Sequence, residues 1–438
     1  MDTSSIKVDD VHIKDNHFRA LVLHPLFIPL CISLGLLIRI SIAVFIPIEP
    51  MSDAAWYITR AQELTAGIGY QESGHPTAYW PVGWPAILAG GFWILKSVPL
   101  TILVLNSLSA AIVMWLVFEI GRITTGSEMV ARLALLAYAL YPNHIAYTGA
   151  ANTETVYAAL SMVAFVLLIK GRNRIPLLIV SGCAFGIATL VKPQTLAFPF
   201  GAVIALTLVY KDYSWWSAIR AGIVVYIVLL LVVLPWSFRN KEMLGEFFLV
   251  STNGGVALLL GANDQVTGDH FDYQYTPVFK QLGIPWQDRV SRQVELNRRQ
   301  KDAALEWINT NTLSWLSWMP RKVLILWTKD TDGFWSFDKS YPESIFAIRV
   351  IQIINQIYYV LVLWLSLVCI YVAGKALIAR DEKLMRLGLL FCMPVFVSLL
   401  AAVFTGQIRY HYPAMPYLMI SASWTLYNFV IANRKAVE

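Results

Sequence analysis

Residues 218–236 read AIRAGIVVYIVLLLVVLPW, an apolar run that contains a single charged residue, Arg220. A helix needs about 20 predominantly apolar residues to cross the hydrocarbon core of a bilayer. A surface helix of a soluble protein instead alternates apolar and polar faces. This stretch therefore predicts a membrane-spanning helix, and several other runs along the chain resemble it.

The composition agrees with a membrane protein. Hydrophobic residues make up 57% of the 438 positions and charged residues only 14%, whereas soluble domains average about 45–50% and about 25%. The net charge of +6 comes from basic residues in short connectors between the apolar runs. They do not gather on one polar face, so nucleic acid is not predicted as a partner.

The apolar runs predict an all-α polytopic fold with about ten transmembrane helices. Residues 85–95 are apolar but short, which favours an interfacial helix. The fifth and sixth candidates meet at Lys192-Pro193 and are either two spans or one broken helix. The candidate spans lie near 21–47, 99–120, 130–147, 154–170, 176–191, 195–210, 218–236, 346–373, 388–404 and 414–431.

The basic residues predict the topology. Cytoplasmic connectors are enriched in Lys and Arg, and counting them places both ends of the chain inside. The expected organisation is a cytoplasmic tail (1–20), an amino-terminal transmembrane module (21–236), an outer segment (237–345) and carboxy-terminal helices (346–438). Loop 48–84, with interfacial helices, also lies outside. The long outer segment then falls between spans seven and eight.

Two carboxylates occupy notable positions. Asp53 follows the first span by only a few residues, and a carboxylate at membrane depth is costly unless it is paired or faces water. The alternative is that Ser52 or Asp53 only caps the helix that follows. Glu154 opens a span, where an acid meets the positive end of the helix. It could equally be a second carboxylate that faces Asp53 across an outward cavity.

Two arginines are expected on the same side. Arg239 follows the seventh span and either snorkels to the interface or grips a phosphate with its fork of donors. Arg409 departs from the positive-inside trend, which suggests an anionic partner. Gly/Asn clusters around Asn253 and Asn263 could offer backbone N–H groups to an anion. Possible substrate-binding residues in these loops are His75, Tyr79, His144, Asn253, Asn263 and Tyr410.

These groups are the parts needed to move a sugar from a lipid phosphate to a hydroxyl. A carboxylate takes the hydroxyl proton, and cations stabilise the departing phosphate. Because displacement at the anomeric carbon is in line, the two functions are expected on opposite sides of one cavity.

With these landmarks in place, the chain resembles the GT-C membrane glycosyltransferases, the superfamily of the protein O-mannosyltransferases and the lipid A aminoarabinose transferase. The resemblance rests on an ordered set of motifs that spans most of the chain. They are Asp53-Ala54-Ala55-Trp56-Tyr57, Pro81-Val82-Gly83-Trp84-Pro85, Tyr141-Pro142 with Thr153-Glu154, Pro235-Trp236-Ser237-Phe238-Arg239-Asn240, the run from Ser251 to Asn263, and Arg409-Tyr410 before Pro413.

The resemblance implies roles for these residues. Asp53 matches the catalytic acidic residue, Glu154 the second acidic position, and Arg239 the arginine proposed to hold the lipid-linked phosphate. Beyond the resemblance, Glu154 is expected to position the acceptor or a metal, and Arg409 to assist Arg239. Some members use a divalent metal, for which His75 and His144 are candidates. No ligand spacing supports a metal here.

The resulting prediction is a glycosyltransferase with a polyprenyl-phosphate sugar donor and a glycan, lipid or protein acceptor, acting with inversion. It is expected in a bacterial inner membrane with its site facing the periplasm. An endoplasmic reticulum enzyme facing the lumen would look similar. The alternatives are an oligosaccharide ligase or polymerase, and a transporter of lipid-linked sugars.

Overall fold

The computed structural model describes residues 17–269 and 276–431, so most of the predicted tail 1–20 lies outside the described residues. The predicted all-α fold is confirmed. The one sheet in the described part of the chain is a hairpin in which Gln71–Glu72 pairs antiparallel with His75–Pro76.

Six helical segments among the described residues are long and apolar enough to cross a bilayer, which makes this an integral membrane protein. They are Phe27–Phe45, Val98–Thr125, Glu154–Gly171, Trp215–Leu244, Pro342–Ala379 and Glu382–Val403. Three shorter apolar segments join them, at Gly83–Leu95, Ile175–Val191 and Pro193–Val209.

The helices are numbered in chain order. The first ten are α1 (Phe27–Phe45), α2 (Asp53–Thr65), α3 (Gly83–Leu95), α4 (Val98–Thr125), α5 (Glu128–Ala139), α6 (Pro142–Ala146), α7 (Glu154–Gly171), α8 (Ile175–Val191), α9 (Phe198–Val209) and α10 (Trp215–Leu244). The others are α11 (Gly254–Leu260), α12 (Pro277–Gln281), α13 (Gln293–Thr310), α14 (Thr312–Leu326), α15 (Trp335–Ser340), α16 (Ile345–Ala379), α17 (Glu382–Met385), α18 (Cys392–Val403) and α19 (Met415–Thr425).

Two predicted spans are shorter helices than their apolar runs suggested. The run 130–147 is divided between α5 and α6, because Pro142 begins a new helix. The run 414–431 is α19 followed by a π-helical turn, Leu426–Ile431. Neither reaches the length that a span needs unaided, so apolar length overestimates the regular helix here.

The helix is interrupted at Lys192-Pro193, where the sequence was compatible with two spans or with one broken helix. α8 ends at Val191, and a 3₁₀ turn, Pro193–Ala197, leads into α9. A residue before proline is pushed out of the helical region, and Lys192 has φ −137° and ψ 106°. The break places the Lys192 ammonium at the end of α8, where it takes part in the site described below.

The helix α8 packs closely against α10 through two small residues. A Cβ on Gly182 would lie 2.8 Å from the Val225 carbonyl oxygen, and one on Gly186 would lie 2.6 Å from Cβ of Val232. Small residues allow helices to approach closely where water provides no driving force. This contact fixes the end of α8, and therefore Lys192, relative to α10.

The segment 237–345 is docked onto the loop 48–84 by Gln293. Its side-chain oxygen accepts from the Ala78 N–H at 2.9 Å, and its side-chain nitrogen donates to the Pro76 carbonyl at 2.9 Å. The Thr252 N–H donates to the Ala78 carbonyl at 2.8 Å. These bonds satisfy backbone groups of a loop that forms little regular structure.

Candidate active site

The carboxylate of Asp53 forms an ion pair with Arg409. Its Oδ2 accepts from Nη1 of Arg409 at 2.8 Å, and the two side chains are 25% and 24% exposed. Asp53 begins α2, and no side-chain capping bond is made by Ser52. The pair is therefore partly accessible to solvent, and the contact with Arg409 is what engages Asp53.

The turn before Asp53 is conformationally unusual. Ser52 has φ 52° and ψ −125°, and the Ala54 N–H donates to the Met51 carbonyl at 3.1 Å. This is the first central position of a type II′ turn, which favours glycine. A serine held there carries backbone strain, a feature that concentrates at functional sites.

Glu154 and Lys192 form a second ion pair, which is more deeply buried. The Lys192 ammonium lies 3.0 Å from Oε1 of Glu154, and the side chains are 13% and 3% exposed. Glu154 opens α7, and Lys192 follows the last residue of α8. A buried carboxylate of this kind requires its cation, because removing one partner leaves an uncompensated charge.

The ring of Tyr410 lies close to both cations. Its ring centroid is 5.6 Å from Cζ of Arg409 and 5.7 Å from the Lys192 ammonium. The two ion pairs therefore meet around one aromatic ring. The structure thus brings together Asp53, Glu154, Arg409 and Tyr410 from the predicted set.

Asp332 is a third carboxylate of this site. Its Oδ2 accepts from the Tyr147 hydroxyl at 2.6 Å. Burial raises the pKa of Asp332, and the charges of Glu154 and Asp330 act in the same direction; the Tyr147 hydrogen bond and Arg409 oppose the rise. Asp332 therefore shares the electrostatic environment of Arg409.

A buried hydrogen-bond network, here called the Asp330 cluster (Asp330, Tyr141, Asn143, Asn355 and His411), supports the site from behind. The Tyr141 hydroxyl and the Asn143 side-chain amide donate to the Asp330 carboxylate, and Nε2 of His411 lies 3.0 Å from its Oδ1. The Asn355 amide donates to the Asp330 carbonyl. The cluster ties the end of the 237–345 segment to α6, α16 and the 3₁₀ helix Ile408–Ala414.

The hydrogen bonds of Arg239 do not involve the two ion pairs. Its Nη1 donates to the Thr77 carbonyl at 2.8 Å and its Nη2 to the Tyr70 carbonyl at 2.7 Å. Its guanidinium also stacks 4.7 Å from the Trp236 ring. The arginine thus holds the loop 48–84, and its role toward a phosphate stays a prediction.

The other predicted substrate-binding residues have mostly local contacts. His75 is exposed in the hairpin, and Tyr79 is buried beside Trp80. His144 is buried, stacks on Tyr412 at 3.6 Å and has Nδ1 3.1 Å from the Tyr138 hydroxyl. Asn253 and Asn263 form hydrogen bonds with residues close in sequence. Asn253 accepts from Ser251 at 2.7 Å, and Asn263 donates to the Leu259 carbonyl at 2.6 Å.

The described residues do not fit a divalent metal. Within residues 17–269 and 276–431, no three His, Cys, Asp or Glu side chains gather as a ligand set. His144 is enclosed by aromatic rings, and His75 belongs to the exposed hairpin. Asp53 and Glu154 each face a cation, so no step below passes through a metal.

One geometric expectation is wrong for Arg409. The base and the phosphate-binding cation were expected on opposite sides of a cavity, yet Asp53 and Arg409 are in direct contact. Opposite charges at this depth pair with each other, since an unpaired buried charge costs several kcal/mol. A phosphate bound by this arginine would have to compete with Asp53.

Three residues of the site were missed from the sequence. Lys192 carried a usable signal, because it is a cation in a predicted outer connector, as Arg409 is. Asp330 and Asp332 lie in Thr328-Lys329-Asp330-Thr331-Asp332-Gly333, just before a span. Their sequence context resembles any polar connector, and only the fold shows that Asp330 contacts Asn143 of α6 and Asp332 contacts Tyr147.

Comparison with known proteins identifies a matching family model and solved structures with a similar fold. Residues 79–238 match the family model described as dolichyl-phosphate-mannose-protein mannosyltransferase. That match covers less than half of the chain. No significant match is found among curated proteins.

Two solved structures of the oligosaccharyltransferase from the archaeon Archaeoglobus fulgidus share the fold. One, AglB with an inhibitory peptide and a dolichol-phosphate, has 12% identity and a TM-score of 0.51; the match covers 93% of this chain and 51% of that one. The other, tethered to an acceptor peptide, has 10% identity, a TM-score of 0.56 and coverage of 95% and 51%. The chain therefore spans about half the length of these structures.

A third structure, ArnT from Cupriavidus metallidurans bound to undecaprenyl phosphate, has 13% identity and a TM-score of 0.44, with 89% and 77% of the two chains covered. The helical membrane architecture and the oligosaccharyltransferase structures define the class: this is an integral membrane protein with the GT-C fold. The predicted resemblance is confirmed for the fold, and residues 79–238 match the family model of the dolichyl-phosphate-mannose-protein mannosyltransferases.

Proposed function

We propose that this protein transfers a sugar from a polyprenyl-phosphate carrier to a hydroxyl group of a glycan, lipid or protein. The observation that carries the proposal is the contact between Asp53 and Arg409, with the Glu154–Lys192 pair beside it. A carboxylate that can accept a proton and cations that can bind a phosphate thus share one partly exposed site. The family model and the two archaeal structures support the same class of reaction.

In the proposed reaction Asp53 is the general base. It accepts the proton of the acceptor hydroxyl while the hydroxyl oxygen bonds to the anomeric carbon. The bond from that carbon to the phosphate oxygen breaks, and its electron pair stays on the phosphate. Arg409 stabilises that charge with its planar fork of donors, Arg239 assists at the edge of the loop 48–84, and the anomeric configuration inverts.

Glu154 positions the acceptor in this proposal. Its carboxylate is almost fully buried and lies beside Lys192, which suits a group that orients a hydroxyl better than one that exchanges protons with solvent. The proposal includes the division of the chain into a transmembrane module at 21–236, an outer segment at 237–345 and carboxy-terminal helices at 346–438. It also places the protein in a bacterial inner membrane, with a site that faces the periplasm.

The test uses purified protein, a panel of radiolabelled polyprenyl-phosphate sugars and membrane extract as the source of acceptor. We expect the wild type to turn over one donor, and Asp53→Asn to lower the rate by about 100-fold or more while carrier binding persists. Full activity in Asp53→Asn would remove this residue from the mechanism. No turnover with any donor would overturn the transferase and favour a ligase or a transporter.

A further inference from the structure

The two cations of the site come from distant parts of the chain. Lys192 follows α8, whereas Arg409 lies on the 3₁₀ helix Ile408–Ala414 before α19. Both lie within 6 Å of the Tyr410 ring centroid, at 5.7 and 5.6 Å. Like charges repel, so two cations beside one ring need compensating anions.

Each cation has one carboxylate as its counter-ion and keeps donors to spare. In the described part of the chain, the Lys192 ammonium has Glu154 as its one hydrogen-bond acceptor, although it carries three N–H groups. Arg409 uses Nη1 on Asp53, and its buried Nε has no partner among the described residues. Unused donors on two neighbouring cations suit an anion with several oxygens, such as a phosphate.

Arg239, the arginine that the family resemblance implies for the phosphate, has less capacity. Both of its terminal nitrogens donate to backbone carbonyls of the loop 48–84, at 2.7 and 2.8 Å. Releasing them would leave the buried Thr77 and Tyr70 segment without those bonds, which is costly. The ion pairs of Lys192 and Arg409 can instead exchange one anion for another.

We propose that Lys192 and Arg409 form a two-cation phosphate site beside Tyr410, and that Glu154 and Asp53 are counter-ions that compete with the phosphate for these cations. The inference rests on the proposed function and adds Lys192 to it. The ligand is the phosphate of the lipid carrier, as sugar phosphate before transfer and as free phosphate after it. Displacement of Asp53 from Arg409 releases the base, so the carrier binds before the acceptor hydroxyl is deprotonated.

The test measures binding of undecaprenyl phosphate to the full chain in phosphatidylcholine nanodiscs. We expect Lys192→Gln to weaken binding about tenfold or more, because a charge-assisted bond is lost. Asp53→Asn and Glu154→Gln should tighten it several-fold, since each removes a competitor for a cation. This opposite sign separates counter-ions from residues that only support the fold.

A matched control is the exposed pair Lys211–Glu382, with the same residue types 3.2 Å apart and side chains 45% and 68% exposed. Lys211→Gln and Glu382→Gln should leave the affinity unchanged. Inorganic phosphate is the second probe. If the binding of inorganic phosphate depends on Lys192 while carrier binding does not, the site binds a soluble phosphate and its assignment to the carrier is overturned.

The outcomes separate the two proposals. Wild type that binds no undecaprenyl phosphate would overturn the proposed function itself. Wild type that binds it with the same affinity as Lys192→Gln would overturn only this inference. If Lys192→Gln does not fold, Lys192→Arg should preserve binding, and Glu154→Gln still decides the matter: weaker binding in that variant would contradict a displaced counter-ion.

Discussion

Asp53 is presented to the site by the backbone of its neighbour, Ser52. The positive φ of 52° at Ser52 lets the chain turn sharply after the first span, so that α2 starts at Asp53. A non-glycine residue in such a conformation is strained by about 1–3 kcal/mol. The strain is located at the residue next to the proposed base.

Replacing Ser52 by glycine should therefore stabilise the protein. Glycine removes the strain but adds freedom to the unfolded chain, which offsets about 0.5–1 kcal/mol, so we expect a net gain of about 1 kcal/mol. The measurement is the thermal unfolding midpoint in detergent, which should rise for Ser52→Gly. Ser52→Ala keeps the Cβ and should show no rise; an equal rise in both variants would assign the effect to the hydroxyl.

For individual residues, the sequence identifies the charged side chains of the site better than it identifies their ion-pair partners. Asp53, Glu154 and Arg409 stand out because charge near a membrane boundary is rare and costly. Their pairing was not predicted, because Asp53 and Arg409 are 356 positions apart. Asp332 had no such signal, since an acid in a polar connector is ordinary until the fold encloses it.

The helix α14 is joined to two other elements by a buried lysine. The Lys322 ammonium donates to the Gly261 carbonyl at 2.6 Å and lies 3.5 Å from the carbonyls of Ala402 and Val403. These carbonyls belong to the carboxyl ends of α11 and α18, where a cation is favourable. Burial nevertheless lowers the pKa of Lys322 from 10.5 to about 8.

This shift predicts how stability depends on pH. Between pH 8 and 10.5 the unfolded chain holds more protons at Lys322 than the folded chain, so the free energy of unfolding should rise with pH across that window. Lys322→Met lacks this contribution. The unfolding midpoint of the wild type should therefore rise relative to that of Lys322→Met as the buffer changes from pH 7 to pH 9.5.

The control for this prediction is Lys301→Met, at an exposed position of α13. Its midpoint should follow that of the wild type in parallel across the same buffers. Parallel profiles for Lys322→Met as well would mean that burial does not perturb the lysine, and that its role is limited to its hydrogen bonds.

Helices were predicted well where an apolar run is long and unbroken, as for α4, α7 and α10. The runs containing α5 and α19 were overestimated, because hydropathy is insensitive to where hydrogen bonding stops. A proline inside an apolar run, such as Pro142, marks a boundary more reliably than composition does. The break at Lys192-Pro193 follows the same rule.

Across the whole molecule, the Asp330 cluster holds the membrane helices and the 237–345 segment together. Asp330 is 2% exposed and accepts from residues on both sides of this junction. Its neighbours in sequence and space include Asp332, and His411 lies two residues from Arg409. The positions of both site residues therefore depend on one buried carboxylate.

Asp330→Asn should weaken this junction strongly. An amide presents a donor where the Asp330 carboxylate offers only acceptors, so at least one buried donor loses its partner. We expect a loss of about 3–5 kcal/mol, seen as a lower unfolding midpoint and faster proteolysis within 237–345. The proposed sugar transfer should fall with it, because Asp332 and Arg409 would be displaced.

The comparison is Asp264→Asn, at an exposed carboxylate that accepts a hydrogen bond from Trp307 at 2.6 Å. That variant should change the midpoint little. Similar losses in the two variants would contradict a special role for the Asp330 cluster, and a stable but inactive Asp330→Asn would place Asp330 in the chemistry itself.

The distance along the chain between Asp53 and Arg409 also has a consequence for biosynthesis. A ribosome that has delivered Asp53 to the membrane must add another 356 residues before the arginine emerges, and Asp332 and Lys192 arrive at different times between them. During that interval the candidate site is incomplete. If the proposed function is correct, a growing polypeptide cannot consume the lipid carrier before its last helices have been inserted.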